Sequence, residues 1–228
     1  MSNRWKGGFI QAYFDPLTAA PVQLSLYTWG IGIEGALGQD NTTSVSSPVL
    51  VGSGPSWSYV AGGGSNVLAI KSDGSLWAWG RDDYGALGLN TASINYSSPV
   101  QVGALTTWSK VSTWSGGDHT AAIKTDGTLW TWGSGGLGQL GHNDAISLSS
   151  PVQVGAETNW DTVSSGNAFT AAIKTDGTLW TWGAGNQGRL GQNNTTSYSS
   201  PVQVGAETDW TSFVQQGDEF GLGTRGQL

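Results

Sequence analysis

Short, largely apolar runs recur along this chain in the same order about every fifty residues. Two such runs are Thr-Ala-Ala-Ile-Lys at 120–124 and Thr-Leu-Trp-Thr-Trp at 128–132, repeated at 170–174 and 178–182. An Asp-Gly pair joins them, which favours a tight hairpin because such turns need positive φ. The pattern therefore predicts antiparallel hairpins of short strands.

Two further runs complete each period, one starting Pro-Val-Gln-Val and one starting with Trp and Val three residues apart. We predict these as the first and second strands of the period, followed by the two runs above as the third and fourth. The glycine after the last tryptophan stands at 30, 80, 133 and 183, in steps of 50, 53 and 50 residues. A sheet of four strands that is apolar on both faces must stack on neighbouring sheets. A period of this length therefore predicts an all-β propeller of about four four-stranded blades.

Most of the thirteen tryptophans fall into three phases of the repeat, which marks them as core residues. These repeat positions are Trp57, Trp108, Trp160 and Trp210; Trp29, Trp79, Trp132 and Trp182; and Trp77, Trp130 and Trp180. Only Trp5 and Trp114 lie outside the three phases, which makes them candidates for contacts beyond the repeat.

The phrase Trp-x-Trp-Gly followed by Gly-x-Leu-Gly resembles the regulator of chromosome condensation repeat family. The motif stands at 79–88, 132–141 and 182–191, and the resemblance covers 26–228. It implies a β-propeller of four-stranded blades, here in a phage or bacterial member. The best-known relatives have seven blades, and neither exchange-factor loops nor the photoreceptor phrase Gly-Trp-Arg-His-Thr is found. His119 keeps a histidine that the family often carries, and we interpret it as a local hydrogen-bonding residue.

Residues 1–25 do not fit the period, so the chain divides into an N-terminal arm or edge strand at 1–25 and a propeller domain at 26–228, whose repeats start and stop at the same phase. The first copy opens on the fourth strand, and the last copy ends after three strands. We expect terminal strand complementation, because pairing removes exposed strand edges. Closure within one chain is favoured, while a strand-exchanged dimer of eight blades and an open arc remain alternatives.

Composition excludes several classes of function. The net charge is -7 with only nine Lys and Arg residues, which argues against nucleic acid as a partner. The chain has no cysteine, and no apolar run approaches the length of a membrane span. A secretion signal is not evident at the start. No nucleophile, metal-ligand or phosphate-loop motif assembles, so we predict no enzyme and no cofactor.

The candidate interaction residues are those that break the repeat. They lie in the basic and aromatic arm, in the loops that differ between copies, and at the unphased tryptophan. These residues are Arg4, Trp5, Phe9, Arg81, Asp82, Asp83, Tyr84, Trp114, Asn186 and Gln187.

The sequence favours a non-enzymatic structural or interaction module. The leading hypothesis is a tailed-phage virion component, such as a capsid decoration, tail or fibre protein, that binds capsid or tail proteins. It rests on a rigid cysteine-free repeat scaffold, low charge, no evident secretion signal and a short non-repeat arm, whose first fifteen residues resemble openings of such proteins. The alternative is a soluble propeller that regulates a host protein, with a GTPase exchange factor a distant third. The expected location is the virion, or the cytoplasm for a protein not from a phage, and a homo-oligomer remains open.

Overall fold

The computed structural model describes residues 24–54, 56–114, 116, 118–216 and 220–226, and within them the regular structure is almost entirely β. Three short 3-10 turns at 33–35, 83–85 and 186–188 are the other regular elements there. The strands are β1 (Tyr27–Gly30), β2 (Val45–Leu50), β3 (Trp57–Gly62), β4 (Asn66–Lys71), β5 (Leu76–Gly80), β6 (Tyr96–Gln101), β7 (Trp108–Thr113), β8 (His119–Lys124), β9 (Leu129–Gly133), β10 (Leu148–Gln153), β11 (Trp160–Ser165), β12 (Phe169–Lys174), β13 (Leu179–Gly183), β14 (Tyr198–Gln203), β15 (Trp210–Gln216) and β16 (Phe220–Arg225).

The strands form antiparallel sheets in chain order. Strands β3–β6, β7–β10 and β11–β14 make three full blades, and two two-stranded sheets, β1–β2 and β15–β16, flank them. We call these two sheets the N-terminal and the C-terminal half-blade. The first strands of successive blades contact one another, β3 with β7, β7 with β11 and β11 with β15. The predicted all-β propeller with four-stranded blades is confirmed.

The strand that contains Ser-Ser-Pro-Val closes the preceding blade. In the third blade β14 pairs with β13, with Val202 opposite Thr181, so the Pro-containing strand is the fourth of its sheet. The sequence order had placed this strand first in each period. An outer position suits it, because proline has no N–H to donate to a further strand.

Each half-blade contains two of the four strand positions of a blade. By its place in the repeat, the N-terminal half-blade supplies the third and fourth strands, and the C-terminal half-blade supplies the first and second. A division into one and three strands was expected, and the new assignment of the Pro-containing strand explains the difference. Among the described strands, β1 pairs with β2 alone and β16 with β15 alone. The pairing of β1 with β16 within one chain is therefore not formed there.

The core lies between successive blades. Leu68 and Leu76 of the first blade join Trp108 and Trp132 of the second in one buried cluster. Trp132 is fully buried, and its ring centroid lies 6.0 Å from that of Trp108 at 65° between the planes. Edge-to-face rings of this kind pack well because the ring edge is positive and the face negative. Trp132 thus joins the first two blades, as predicted for a core residue, whereas Trp77, Trp130 and Trp180 are half-buried and bond to their own hairpins, which corrects their prediction as core residues.

Each Asp-Gly hairpin carries the same chain of side-chain hydrogen bonds. In the second blade, Asp126 Oδ1 accepts from the Thr128 backbone N–H at 3.0 Å and from its hydroxyl at 2.7 Å. The Thr128 hydroxyl oxygen in turn accepts from Trp130 Nε1 at 2.8 Å. The hydrogen bonds from Thr128 lower the pKa of Asp126. The predicted turn residue therefore also orients a tryptophan.

Replacing Asp126 with alanine should lower the free energy of unfolding by about 1 kcal/mol, because two donors of Thr128 lose their acceptor at a solvent-exposed turn. Asp126→Asn keeps an acceptor oxygen at the same place and should lose less. Urea unfolding of both variants measures the difference. Equal losses would show that the hydrogen bonds to Oδ1 do not stabilise the hairpin.

A lysine lies over the outer tryptophan of each full blade. Lys124 Nζ is 3.4 Å from the ring centroid of Trp130 and 4.9 Å from that of Trp108. Lys174 repeats this arrangement over Trp180 and Trp160. A cation over an aromatic face is attracted by the ring quadrupole. These recurring lysines belong to the propeller framework, so they are poor candidates for partner contacts.

Candidate functional site

The connections between the third and fourth strands form the most variable edge of the blades. We call the four segments 31–44, 81–95, 134–147 and 184–197 the loop crown. The first two crown loops touch, since Arg81 Nε lies 3.8 Å from Glu34 Oε1 of the preceding loop. The turns at 33–35, 83–85 and 186–188 follow one backbone plan with different side chains. In these three loops the chemistry can therefore change while the shape is kept.

Tyr84 has the same backbone conformation as its counterparts in two other crown loops but a different side chain. It has a φ of 54°, which L residues rarely adopt, and it is exposed. Glu34 and Gln187 occupy the same place in their loops, with φ of 61° and 62°. The left-handed conformation thus belongs to the shared loop, and the tyrosine at this position is particular to one copy.

Exposed apolar side chains concentrate on the crown. Six of the ten large hydrophobic residues that are exposed in the described part of the chain lie on its first three loops. They are Ile31, Ile33, Tyr84, Ile94, Leu137 and Ile146. Scattered exposed apolar residues are normal, but a group on one edge is typical of a contact surface. The sequence reasoning selected only Tyr84 of these six.

The two limbs of each crown loop lie side by side, which brings these residues near one another. The Asp82 N–H donates to the Asn95 side-chain oxygen at 3.1 Å, and the Ser93 N–H donates to the Asp82 carbonyl at 2.6 Å. In the next loop, the Gly135 N–H donates to the Ser147 hydroxyl at 3.1 Å. The two limbs of a crown loop therefore lie together at the same edge of the blade.

Charged groups lie beside the apolar residues of the second loop. The Arg81 guanidinium binds the Asp83 carboxylate, and this hydrogen bond raises the pKa of Arg81. Asp118 also interacts electrostatically with both, and its burial raises its pKa. Arg81 and Tyr84 are exposed and Asp83 is half-buried, so these three predicted residues lie where a partner could reach them.

Asp82 differs from its neighbours because its side chain is fully buried. Its carboxylate accepts from the Leu87 N–H at 3.0 Å and from the Thr91 hydroxyl at 3.0 Å. Burial raises the pKa of Asp82. Because its carboxylate accepts hydrogen bonds within the loop, Asp82 stabilises the conformation of the crown. The prediction of Asp82 as a contact residue is corrected, since its side chain is not exposed to a partner.

Asn186 and Gln187 are exposed on the fourth crown loop, as a contact role requires. Arg189 organises them: its Nη2 donates to the Gln187 side-chain oxygen at 2.9 Å and its Nε to the Asn186 carbonyl at 3.2 Å. This loop has no exposed large apolar side chain, in contrast to the three loops before it. The structure thus places these two residues at the polar end of the crown.

The remaining predicted residues are not part of the crown segments. Trp114 is half-buried after β7, and its carbonyl lies against Gly63 of the preceding blade. Arg4, Trp5 and Phe9 fall outside the described residues, as does most of the segment 1–25, so their role stays a prediction. Trp114 belongs to the connection between β7 and β8, where the Asp118 carbonyl accepts from the N–H of the crown residue Ser134 at 2.6 Å.

His119 is a buried link between the second and third blades. Its Nε2 lies 2.9 Å from the Thr170 hydroxyl oxygen, and that hydroxyl donates its one proton to the Gln139 carbonyl at 2.8 Å. Nε2 must therefore donate, which makes His119 the neutral Nε2–H tautomer. Burial lowers its pKa to about 4. The structure agrees with the interpretation of His119 as a local hydrogen-bonding residue.

A cleft of about 410 Å³ lies beside Val100, Leu105, Trp108 and Trp130, and none of its lining residues carries a charge. No group of three or more His, Cys, Asp or Glu residues in the described ranges could hold a metal ion. Among those residues, no helix is long and apolar enough to cross a membrane.

Repeated four-stranded blades joined through buried tryptophans, with a variable loop edge, define the class of β-propeller repeat proteins. The chain belongs to the regulator of chromosome condensation (RCC1) repeat family. The family's repeat matches four times, at residues 25–70, 73–123, 126–173 and 176–220. A second profile of the same repeat matches 57–86, 108–139 and 160–189.

Curated relatives match over part of their length. The chain is 35% identical over 132 residues to a probable E3 ubiquitin-protein ligase, HERC4 of Mus musculus, covering 57% of this chain and 12% of the relative. It is 32% identical over 133 residues to the ultraviolet-B receptor UVR8 of Arabidopsis thaliana, covering 58% of this chain and 30% of the receptor. The match to the ligases lies in the repeat propeller, which is not the catalytic part.

Solved structures share the fold. Human WBSCR16 superposes with a TM-score of 0.73 at 23% identity, over 86% of this chain and 52% of that chain. Prp20p of Saccharomyces cerevisiae, studied for its binding to Gsp1p and histones, gives 0.73 at 17% identity, over 90% and 52%. Yeast Prp20 bound to Kap60 gives 0.75, over 90% and 51%. The chain thus spans about half the length of these propellers, and the relatives named here lend no support to a virion role.

Proposed function

We propose that this chain is a non-catalytic scaffold that binds a partner protein through the apolar loops of its crown. The observation that carries the proposal is the group of six exposed apolar side chains on three adjacent loops, above a framework that needs none of them for packing. Full burial of one such side chain contributes about 1.5–3 kcal/mol, so a few of them suffice for specific binding.

The charged residues beside this apolar surface would select and orient the partner. Arg81, Asp83 and Glu34 lie within one network beside Tyr84. Charged groups at the rim of an interface select partners and steer encounter more than they add affinity. The partner we propose is therefore a protein with an apolar patch bordered by charges of both signs. The relative Prp20p, which binds proteins, supports this class of function.

Two crown substitutions should weaken partner binding without disturbing the fold. Tyr84→Asn removes the aromatic ring and leaves a residue that tolerates positive φ, and Leu137→Ser removes an exposed apolar side chain. We expect the double variant to bind its partner at least about tenfold more weakly, a loss of roughly 1.4 kcal/mol. The partner is first isolated with the wild-type chain and then titrated against each purified variant by calorimetry.

Leu105→Ser is the matched control, because Leu105 is similarly exposed but lies on the loop between β6 and β7, outside the crown. It should leave the affinity unchanged. Equal affinity for the crown variant and the wild type would contradict the proposal, and so would a loss at Leu105 as large as the loss at the crown.

A further inference from the structure

We propose that the cleft between the first and second blades binds a small carboxylic acid with an apolar body, whose carboxylate pairs with Lys124. The cleft holds about 410 Å³, a volume typical of small-molecule sites. Its walls include the side chains of Tyr96, Leu105 and Trp130, and none of the residues that line it carries a charge. Apolar and aromatic walls of this kind suit the body of such a ligand, while its carboxylate requires a cation nearby.

Lys124 provides a buried cation beside this cleft. The residue is 7% exposed, and its Nζ lies over the rings of Trp108 and Trp130, both on the cleft wall. Within the described residues, this Nζ forms no hydrogen bond and no ion pair. Burial lowers the pKa of Lys124, and the charge of Asp126 opposes this shift only in part. A protein partner cannot reach a lysine this buried, but a small anion that enters the cleft can.

The equivalent cations of the next two repeats have an acidic partner in the chain itself. Lys174 Nζ lies 2.8 Å from Glu157 Oε2. Arg225, at the same place in β16, has its Nη1 3.7 Å from Glu207 Oε1. Both acids stand three residues before the first tryptophan of their sheet, and in the second blade this position is Leu105. Because Leu105 lines the cleft, the cleft lies where the missing carboxylate would be.

The loop that carries Leu105 has the same backbone conformation as the loop that carries Glu157. Gly103 and Gly155, two residues earlier in each loop, have φ of 61° and 59°. In both loops, the residue before the tryptophan accepts the N–H of the residue that follows the lysine, at 2.8 Å. A ligand carboxylate at the place that the Glu157 carboxylate occupies in its own loop would therefore bind Lys124. The body of the ligand would then contact Leu105 and the aromatic wall of the cleft.

The three full blades differ in this respect, so we expect one site among them. In the first blade, Gly54 stands at the position of Leu105, but Lys71 is only half-buried and water can solvate its charge. In the third blade, Glu157 already pairs with the lysine. The second blade alone combines a buried lysine with no acidic partner among the described residues. None of the six exposed apolar crown residues lines the cleft, which separates this site from the proposed protein-binding surface.

Titration calorimetry of the full chain with two probes tests the site. Phenylbutyrate carries a carboxylate on an apolar body, and phenylbutyramide is its neutral counterpart of the same shape. The wild type should bind the acid at least about tenfold more tightly than the amide, because only the acid forms a charge-assisted hydrogen bond with Lys124. Lys124→Met keeps an apolar stem over the two rings and removes the charge, so this variant should bind both probes equally.

Leu105→Glu should abolish binding of phenylbutyrate, because the chain then supplies the anion as it does at Glu157. Thr106→Glu is the matched control: it adds the same charge at an exposed neighbouring position that does not line the cleft, and it should leave the affinity nearly unchanged. A wild type that binds neither probe, or both equally, overturns the proposal. So does a Leu105→Glu variant that binds like the wild type, or a loss at Thr106→Glu as large as that at Leu105→Glu.

Discussion

Replacing Trp132 with alanine should lower the free energy of unfolding by about 4 kcal/mol, the range found for removing large aromatic side chains from a core. The ring is fully buried between the first and second blades, packs edge-to-face on Trp108 and donates to the Ala86 carbonyl at 2.9 Å. Its loss leaves a cavity where two sheets meet. Chemical denaturation of the purified variant measures the effect.

Trp130→Ala is the matched control, two residues away on the same strand. Trp130 is half-buried, and its indole donates to Thr128 at the hairpin rather than to the next blade. We expect a loss of about 1–2 kcal/mol from this partly exposed position. Equal losses for the two variants would mean that the contact between blades is not the main source of stability.

Acidification should destabilise the protein through His119. Its pKa is about 4 in the folded chain and near 6.5 when exposed, so between these values the unfolded chain binds a proton that the folded chain does not. This contribution is complete above pH 6.5 and is lost as the pH falls toward 4. At about 1.4 kcal/mol for each pKa unit, roughly 3 kcal/mol disappears over this window.

His119→Asn isolates that contribution, because the first blade carries Asn66 at the same place. The free energy of unfolding of this variant should change less between pH 7 and 4 than that of the wild type. His142→Gln is the control, since Gln39 and Gln192 occupy the equivalent positions. His142 is half-buried, and burial lowers its pKa as well, so the control should lose a smaller part of the pH dependence. Identical pH profiles for the wild type and His119→Asn would refute the assignment.

The framework could be predicted from the sequence because its residues repeat. Tryptophans in fixed phase and Asp-Gly turns such as Asp126-Gly127 indicated strands, hairpins and the stacking of blades, and the structure confirms them. The sequence did not predict to which blade the Pro-containing strand belongs. Sequence order does not state which edge of a sheet accepts a strand, and β10 could follow β9 or precede β11.

The crown was only partly predictable. Variation between copies identified the loop at 81–84, but it did not distinguish its buried residues from its exposed ones. Asp82 is buried and Tyr84 is exposed, although both differ from their counterparts in the other copies. Ile31, Leu137 and Ile146 were missed, because an apolar residue among glycines and asparagines does not reveal whether it faces solvent. A signal was present, since these residues fall outside the apolar phases of the strands.

The bond between neighbouring blades has a consequence for how such chains evolve. The tryptophan donates to a main-chain carbonyl, which is supplied by Ala36, Ala86 or Gln139 at 2.9–3.2 Å. A mutation at the acceptor position changes the side chain and leaves the bond in place. Duplicated units can therefore drift apart in sequence, or change neighbours by recombination, without losing the attachment that holds them in a row.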